Sequence, residues 1–331
     1  MSVSILKSLM LGLFVIPAFS FAEITFPTEA SIPDDLSLYI QPTVSGNWRS
    51  GTFGMVRNSG KRFHEGWDIK PFKRDSNGKV SDKVFSVLKG RVVHVCNVNN
   101  GSYGKYVVLE HSNSDVCFYS LYAHLDSVSP DIEEGLFVSA GTLLGIMGNT
   151  SSVYKIPKGL EHLHFEVGFR LGGKSFQDWY EKTFDKSDKN LHSFWNGLNL
   201  SGFDPALFFQ EKSPDIKRIL DEIPTAFSVV VYSGKTPDIL EYSPGLLTEP
   251  AGQGRKVNFW KVEFSWSGLP KSFTPIYGNA KDKPVKIKIE NVYNKYIQNL
   301  IKRGMIIPSG KTFIPGKNLI NTLEIIFGES L

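Results

Sequence analysis

Short runs rich in Val, Tyr and Phe, broken by Gly, Asn and Ser, dominate the chain from about residue 41 to 169. The runs at 84–88, 91–98, 105–110 and 116–122 have the length and composition of strands. Asn99-Asn100-Gly101 and Ser112-Asn113-Ser114-Asp115 lie between them as hairpin turn signals. Further runs at 143–147 and 163–168 bring the set to at least six, and a short one falls between Gly135 and Ala140. No long helical period interrupts them. The pattern predicts an antiparallel, mainly β domain rather than a parallel α/β sheet.

The texture changes on either side. Residues 23–44 hold Pro27, Pro33 and several acids without periodicity and read as an N-terminal arm or linker. Gly172-Gly173 opens an insertion over about 170–203, helical in texture from 176 to 195. From 210 to 331 the pattern is α+β, of no assignable type. Ser213-Pro214-Asp215 predicts a helix through Ile223, with a cap, Pro at the first helical position and an acid in the first turn. Strands are expected at 227–232 and 257–266, where Val262, Phe264 and Trp266 alternate with Glu263 and Ser265. An amphipathic helix is expected over 289–303, closed by Gly304, and a last strand over 319–327. The divisions are therefore an arm to 44, a β domain over 45–209 and a C-terminal domain over 210–331.

Composition narrows the class. Of 331 residues, 41% are hydrophobic and 21% charged, a globular balance that excludes a disordered, collagen-like or coiled-coil chain. The formal charge of +4 is too small and too evenly spread for a nucleic-acid partner. Residues 1–22 stand apart: Lys7, an apolar run over 9–19, then Ser20-Phe21-Ala22, the layout of a secretory signal peptide. The run is short for a membrane span, no Cys lies near the cut, and no later segment is apolar enough to cross a bilayer. The expectation is an exported chain, periplasmic or secreted, with no stable membrane insertion after cleavage. Loss of Lys7 would lower the charge from +4 to +3. An oxidising compartment permits a Cys96–Cys117 disulfide, depending on strand order. Two cysteines do not suggest a structural zinc site.

Four of the seven histidines fall in three local patterns: His64-Glu65-Gly66-Trp67-Asp68, Tyr122-Ala123-His124-Leu125 and Glu161-His162-Leu163-His164-Phe165-Glu166. In a strand, His162 and His164 share one face. Two imidazoles there suit a divalent transition metal, although an HxH pair alone equally describes two surface histidines. His64 and Asp68 converge on one ion if the chain turns between them, and Gly66 permits a turn. Zinc commonly takes three N/O ligands and keeps one position for water. His64, Asp68 and one member of the His162/His164 pair meet that count, and the spacing does not say which member. The other, with His124, would sit beside the open position as general acid/base or electrophile. Glu166 shares a face with His164 and suits a supporting role behind it. His94 and His111 read as structural or exposed, and His192 has no evident partner. No GxSxG or CxxC pattern signals another nucleophile.

In this order, HxGxD, YxHL and HLHFE resemble the lysostaphin-type (LytM-like) zinc endopeptidases of peptidoglycan. The approach Gly51-Thr52-Phe53-Gly54-Met55-Val56-Arg57 and Lys61-Arg62-Phe63-His64 is similar too. So are Gly90-Arg91-Val92-Val93, Tyr103-Gly104-Lys105-Tyr106-Val107-Val108, the Gly-rich stretch 141–150 and the closing Asp204-Pro205. The resemblance covers about 45–168. It implies His64, Asp68 and His164 as ligands of one Zn2+ per chain, and His124 and His162 as catalytic residues. It also implies an antiparallel β fold with a groove over the metal, a zinc metalloendopeptidase activity, and peptidoglycan cross-links or stem peptides as substrate. Residues 70–83 are longer than the family's usual link, the 170–203 insertion is extra, and the C-terminal region matches nothing recognisable. A rival reading is a catalytically silent LytM-like module that activates another cell-wall hydrolase, but such relatives usually lack ligands. A third class, zinc peptidases of D-Ala dipeptides, spaces its first His and Asp further apart.

Overall fold

Hairpins whose ladders run past the buried alternation build the fold. The computed structural model describes residues 24–30, 35–57, 62–113, 115–210, 213–250, 256–278 and 285–331. The expected signal peptide lies outside the described residues. Strands β1 (Val56–Arg57) and β2 (Arg62–Phe63) pair with each other. A nine-stranded antiparallel sheet follows. It comprises β3 (Trp67–Ile69), β4 (Lys83–Phe85), β5 (Gly90–Asn100), β6 (Gly104–Asn113), β7 (Val116–Val128), β8 (Phe137–Val138), β9 (Leu143–Met147), β10 (Leu163–Arg170) and β11 (Leu200–Phe203). Its path is β11-β10-β7-β6-β5-β8. Strands β5 to β7 outrun the apolar pattern because pairing satisfies their backbone groups even where the side chains are polar.

Two strands change partners along one edge. Strand β10 pairs with β3 at Leu163–Phe165 and with β11 from Val167 onward, while β7 flanks its other edge. Strand β7 leaves β10 after Ala123 and takes β9 from Leu125. The register sets His164 opposite Asp68 on one side and Ala123 on the other. Strand β10 is buried on both faces. Leu163, Phe165, Val167 and Phe169 join the main core. The opposite face of the sheet carries Tyr106, Tyr119 and Leu121, covered by Trp195 of the insertion and by Leu200.

The C-terminal region forms a four-stranded antiparallel sheet, ordered β14-β13-β12-β15. These are β12 (Thr225–Tyr232), β13 (Val257–Ser265), β14 (Pro270–Tyr277) and β15 (Ile287–Glu290). A hairpin of β16 (Ile306–Ser309) and β17 (Thr312–Pro315) follows. The helices are α1 (Ser175–Thr183), α2 (Pro205–Phe208), α3 (Ile216–Glu222), α4 (Ile297–Lys302) and α5 (Lys317–Phe327). One buried apolar cluster runs from Phe165 and Phe209 through Ile216 and Phe227 to Phe327, so the two regions share a core. Asp204 caps α2 and accepts the Trp67 indole N–H at 3.0 Å, which ties this end to β3. The arm is packed: Ile24, Phe26 and Ile40 are in the core, and Thr25 N–H donates to Val87 O.

Several local expectations are corrected. Residues 319–327 belong to helix α5, not a strand. Leu319, Leu323 and Ile326 fall on one helical face, and Gly328 at φ +57° terminates it. The expected helix over 289–303 splits, because 287–290 pairs with β12 and only 297–302 coils. Asp215, not Ser213, caps α3, accepting from the Lys217 and Arg218 N–H groups. In the insertion, helix α1 ends at Thr183. Cys96 and Cys117 are free thiols, because β6 stands between their strands and pairs Cys96 with Tyr106 and Cys117 with Ser112.

His111 is a structural histidine. It is buried, its Nδ1 donates to Lys89 O at 2.9 Å, and its Nε2 lies 2.7 Å from Ser120 Oγ. Burial lowers its pKa to about 4. The unfolded chain therefore takes up a proton between about pH 6.5 and 4 that the folded chain refuses. This contribution is complete above that window and falls away as pH drops through it, by about 3 kcal/mol at most. We expect urea midpoints to fall less between pH 7 and pH 5 in His111→Gln than in the wild type. Equal falls would remove His111 from the acid response.

Candidate metal centre

The five candidate side chains come from three places in the sheet. His64 precedes β3 and Asp68 lies within it, His124 sits where β7 changes partner, and His162 and His164 lie at the entry to β10. His64, Asp68 and His164 are all buried, and their ligand atoms lie within 4.8 Å of one another. His64 Nε2 is 2.9 Å from Asp68 Oδ1 and 3.2 Å from His164 Nδ1, which is itself 3.0 Å from Asp68 Oδ1. His162 Nε2 lies 3.5 Å from the same carboxylate oxygen. The His124 ring centre is 4.9 Å from that of His162 and 5.9 Å from that of His164.

The chain bends at Gly66, as the sequence suggested, and close packing also requires a glycine there. A Cβ there would sit 2.2 Å from Phe165 O and 2.9 Å from Glu166 Cγ, so any side chain would push the His64–Asp68 segment off β10. At His124 the backbone does enter the left-handed region, with φ +61°. Its N–H donates to Tyr103 O at 2.9 Å.

Each histidine has one ring nitrogen fixed by an oxygen. His64 Nδ1 donates to Thr52 O, His124 Nδ1 to Thr150 O and His162 Nδ1 to Leu160 O, each at 2.8 Å. A carbonyl only accepts, so the proton sits on Nδ1 and the Nε2 lone pair is left for other work. For His164 the polarity is reversed: Nε2 donates to Glu166 Oε1 at 2.7 Å, and Nδ1 faces His64 and Asp68. Glu166 is buried and also accepts the Tyr103 hydroxyl at 3.1 Å and the Tyr119 hydroxyl at 2.8 Å. Sequence reasoning placed Glu166 near the site but missed the two tyrosines, Tyr119 on β7 and Tyr103 in the turn before β6, which reach Glu166 only in the folded sheet. It also missed Arg74, whose guanidinium pairs with Glu161 at 2.9 Å beside His162.

The electrostatics suit a cation. Burial pushes the Asp68 carboxyl up, but His64, His162 and His164 outweigh it and hold the pKa well below the usual carboxylate range. Burial likewise pushes His164 down, but hydrogen bonds to Asp68 and Glu166 outweigh it and raise its pKa to about 9. Burial, with the His162 and His164 charges, holds His124 well below the ordinary value, so His124 is neutral at pH 7. One buried carboxylate and two imidazoles form an N/O donor set typical of zinc, with Glu166 behind one of the imidazoles. The observed separations of 2.9 to 3.2 Å are close to the edge of about 3.3 Å in a tetrahedron with Zn–N bonds of about 2.0 Å. The residues present therefore fit the ion.

Two cavities open on this group. One, of about 170 Å³, is walled by Gln41, Thr43, Lys155 and Leu160, with His124 and His162. The other, of about 560 Å³, is lined by Tyr103, Tyr154, Tyr180, Leu191, His192 and Leu198, so the insertion forms much of its wall. His64 and His164 line both. His192, which the sequence left without a role, anchors that wall by placing Nδ1 2.9 Å from the Tyr106 hydroxyl.

A cleft on an antiparallel sheet, with a buried His–Asp–His group and two further histidines, is arranged as a candidate metal centre. Residues 62–177 match Peptidase family M23, and the chain carries an M23 peptidase domain over that stretch. The family is one of zinc metallopeptidases that hydrolyse peptidoglycan, and some of its members are inactive. Among solved structures, the chain is similar to a zinc-containing peptidase from Vibrio cholerae, at 25% identity over 44% of this chain and 36% of that one, with a TM-score of 0.30. It is similar to the catalytic domain of lysostaphin from Staphylococcus simulans, at 22% identity over 49% and 88%, TM-score 0.29. It is also similar to Helicobacter pylori Csd3, at 21% identity over 45% and 31%, TM-score 0.27. The match spans only about a third of the Vibrio and Helicobacter chains. Comparison with curated proteins gives no match.

Glu166 supplies the test of this site. Replacing it by Gln removes the charge that orients His164 and keeps the side chain's shape. Zn2+ affinity in equilibrium dialysis should fall roughly 10- to 100-fold. An unchanged affinity would show that Glu166 does not support the ligand.

Proposed function

We propose that this chain is an exported zinc-dependent endopeptidase that hydrolyses peptide bonds in bacterial peptidoglycan, with His64, Asp68 and His164 as ligands of one ion. The carrying observation is the set of ring hydrogen bonds. They leave His64 Nε2 and His164 Nδ1 beside Asp68, and leave Nε2 of His124 and His162 as the ring nitrogens available at the same cleft. The M23 domain and its family's activity support the reading.

Bound there, Zn2+ would polarise a scissile carbonyl and lower the pKa of a water to about 7. The chain's own residues supply the rest. His124 is a neutral acceptor at Nε2, suited to take the proton of the attacking water, and His162 presents its own Nε2 beside it. The two imidazoles lie close enough for the charge of one to disfavour protonation of the other, so the pair holds one proton at a time. That protonated member can donate to the developing oxyanion and then to the leaving amine. The cavities on either side of the ligands give an extended peptide room to cross the site.

Export rests on the N-terminal sequence, and among the described residues no helix is long and apolar enough to cross a membrane. We read 45–209 as the peptidase domain and 210–331 as a second region that buttresses it through the shared core.

Two variants test the assignment. His164→Ala should lose bound zinc by metal analysis and lose muropeptide hydrolysis by mass spectrometry of the products. Retention of both would overturn the ligand set. His124→Ala should keep zinc and lose turnover by about 10²- to 10⁴-fold. Loss of metal in that variant would make His124 a ligand instead.

A further inference from the structure

A separate cavity of about 300 Å³ lies between the peptidase sheet and helix α5. Helical spacing builds one wall. Asn318, Asn321, Thr322 and Ile325 recur at i, i+3, i+4 and i+7 and share a face, while Leu319, Leu323 and Ile326 are buried. The other wall includes Phe63, Glu65 and Ser201 of β11.

Polar side chains that line a cavity and stay in reach of water can exchange that water for a polar ligand. Asn318 already has a partner, since its Nδ2 donates to Arg303 O at 2.7 Å. The side chains of Asn321, Thr322 and Ser201 are half-buried and make no hydrogen bond among the described residues. The Arg303 guanidinium lies 3.7 Å over the Phe63 ring, its Nε donates to Ser267 O at 3.1 Å, and a terminal nitrogen is 3.9 Å from Glu65 Oε1. The one positive and one negative side chain therefore offset each other.

This cavity continues the metal cleft. Glu65, Gly197 and Leu198 line both cavities, and Glu65 directly follows the proposed ligand His64. We propose that it is a subsite for an uncharged N-acetylated sugar, the glycan part of a substrate whose peptide lies at the metal. The identity of that substrate rests on the hydrolase reading above. The cavity itself does not. A carboxamide and two hydroxyls both donate and accept, as sugar hydroxyls and the acetamido group do. Leu198, which is exposed, offers apolar surface for the acetyl methyl. A stem peptide would bring charged groups, for which one offset ion pair has no spare partner. The volume is at the lower end of the range of about 300–1,000 Å³ for small-ligand pockets.

The test uses the full chain with zinc, titrated with tri-N-acetylchitotriose and separately with a sugar-free stem peptide, and followed by NMR shifts. We expect saturable chitotriose binding that weakens roughly tenfold in the double variant Asn321→Ala, Thr322→Val, as loss of two hydrogen bonds implies. The ratio of kcat/KM for a disaccharide-bearing muropeptide over the sugar-free peptide should fall by a similar factor. If the double variant melts early, Ser201→Ala on the opposite wall gives the same comparison. Absence of saturable chitotriose binding, an unchanged ratio, or occupation of the cavity by the stem peptide would each overturn the subsite. A chain that hydrolyses neither substrate defeats the hydrolase reading, while the titration still decides the subsite.

Discussion

His164 stands between two buried carboxylates, 3.0 Å from Asp68 and 2.7 Å from Glu166, and the rest of the site depends on that arrangement. Each carboxylate taken out of water costs several kcal/mol unless a positive charge and hydrogen bonds compensate. Without a metal, a second proton on His164 supplies the positive charge, which is why its pKa rises to about 9. A dication would displace that proton and balance both carboxylates at once. The site is thus a place where protons and metal compete, a general property of histidine and carboxylate ligands.

The fold makes that arrangement stiff. His164 is opposite Asp68 because β10 pairs with β3, and β7 on the other edge fixes the plane of the strand. Tyr103 and Tyr119 hold Glu166 from the second face, and the insertion packs over them through Trp195 and His192. The insertion therefore supports His164, one of the proposed ligands, at one remove, as well as forming much of the wall of the larger cavity. Below the sheet, one core joins β10 to the C-terminal sheet. A change in packing on either side would be transmitted to a strand that has no free face.

The chemistry was more legible than the architecture around it. Period-two alternation puts His162 and His164 on one face, and three short histidine patterns fixed the five residues that the fold gathers. That reading needed only local geometry. The supporting residues were invisible for the opposite reason. Tyr103, Tyr119 and Glu166 meet through strand order, and Arg74 reaches Glu161 across 87 positions, contacts that no local pattern encodes. The errors in the C-terminal region have a similar origin. The run over 319–327 is apolar enough to suit either period, and its burial on one helical face is decided by what it packs against. Residues 287–290 became a strand because β12 had an edge to fill.

The strain at His124 bears on function independently of any ligand. A non-glycine residue at φ +61° pays on the order of 1 kcal/mol or more for its conformation. The fold has a local reason for a turn here, because β7 passes from β10 to β9 at this residue and a bulge follows between Leu125 and Ser127. Glycine would meet that need without strain. An imidazole stands there instead, buried, fixed by Thr150 O and 4.9 Å from the His162 ring. The ring packs against Tyr154, His162 and His164, so its contacts lie with the cleft rather than with the apolar core. The strained backbone thus sets an imidazole at the cleft, where the proposed function has a use for one.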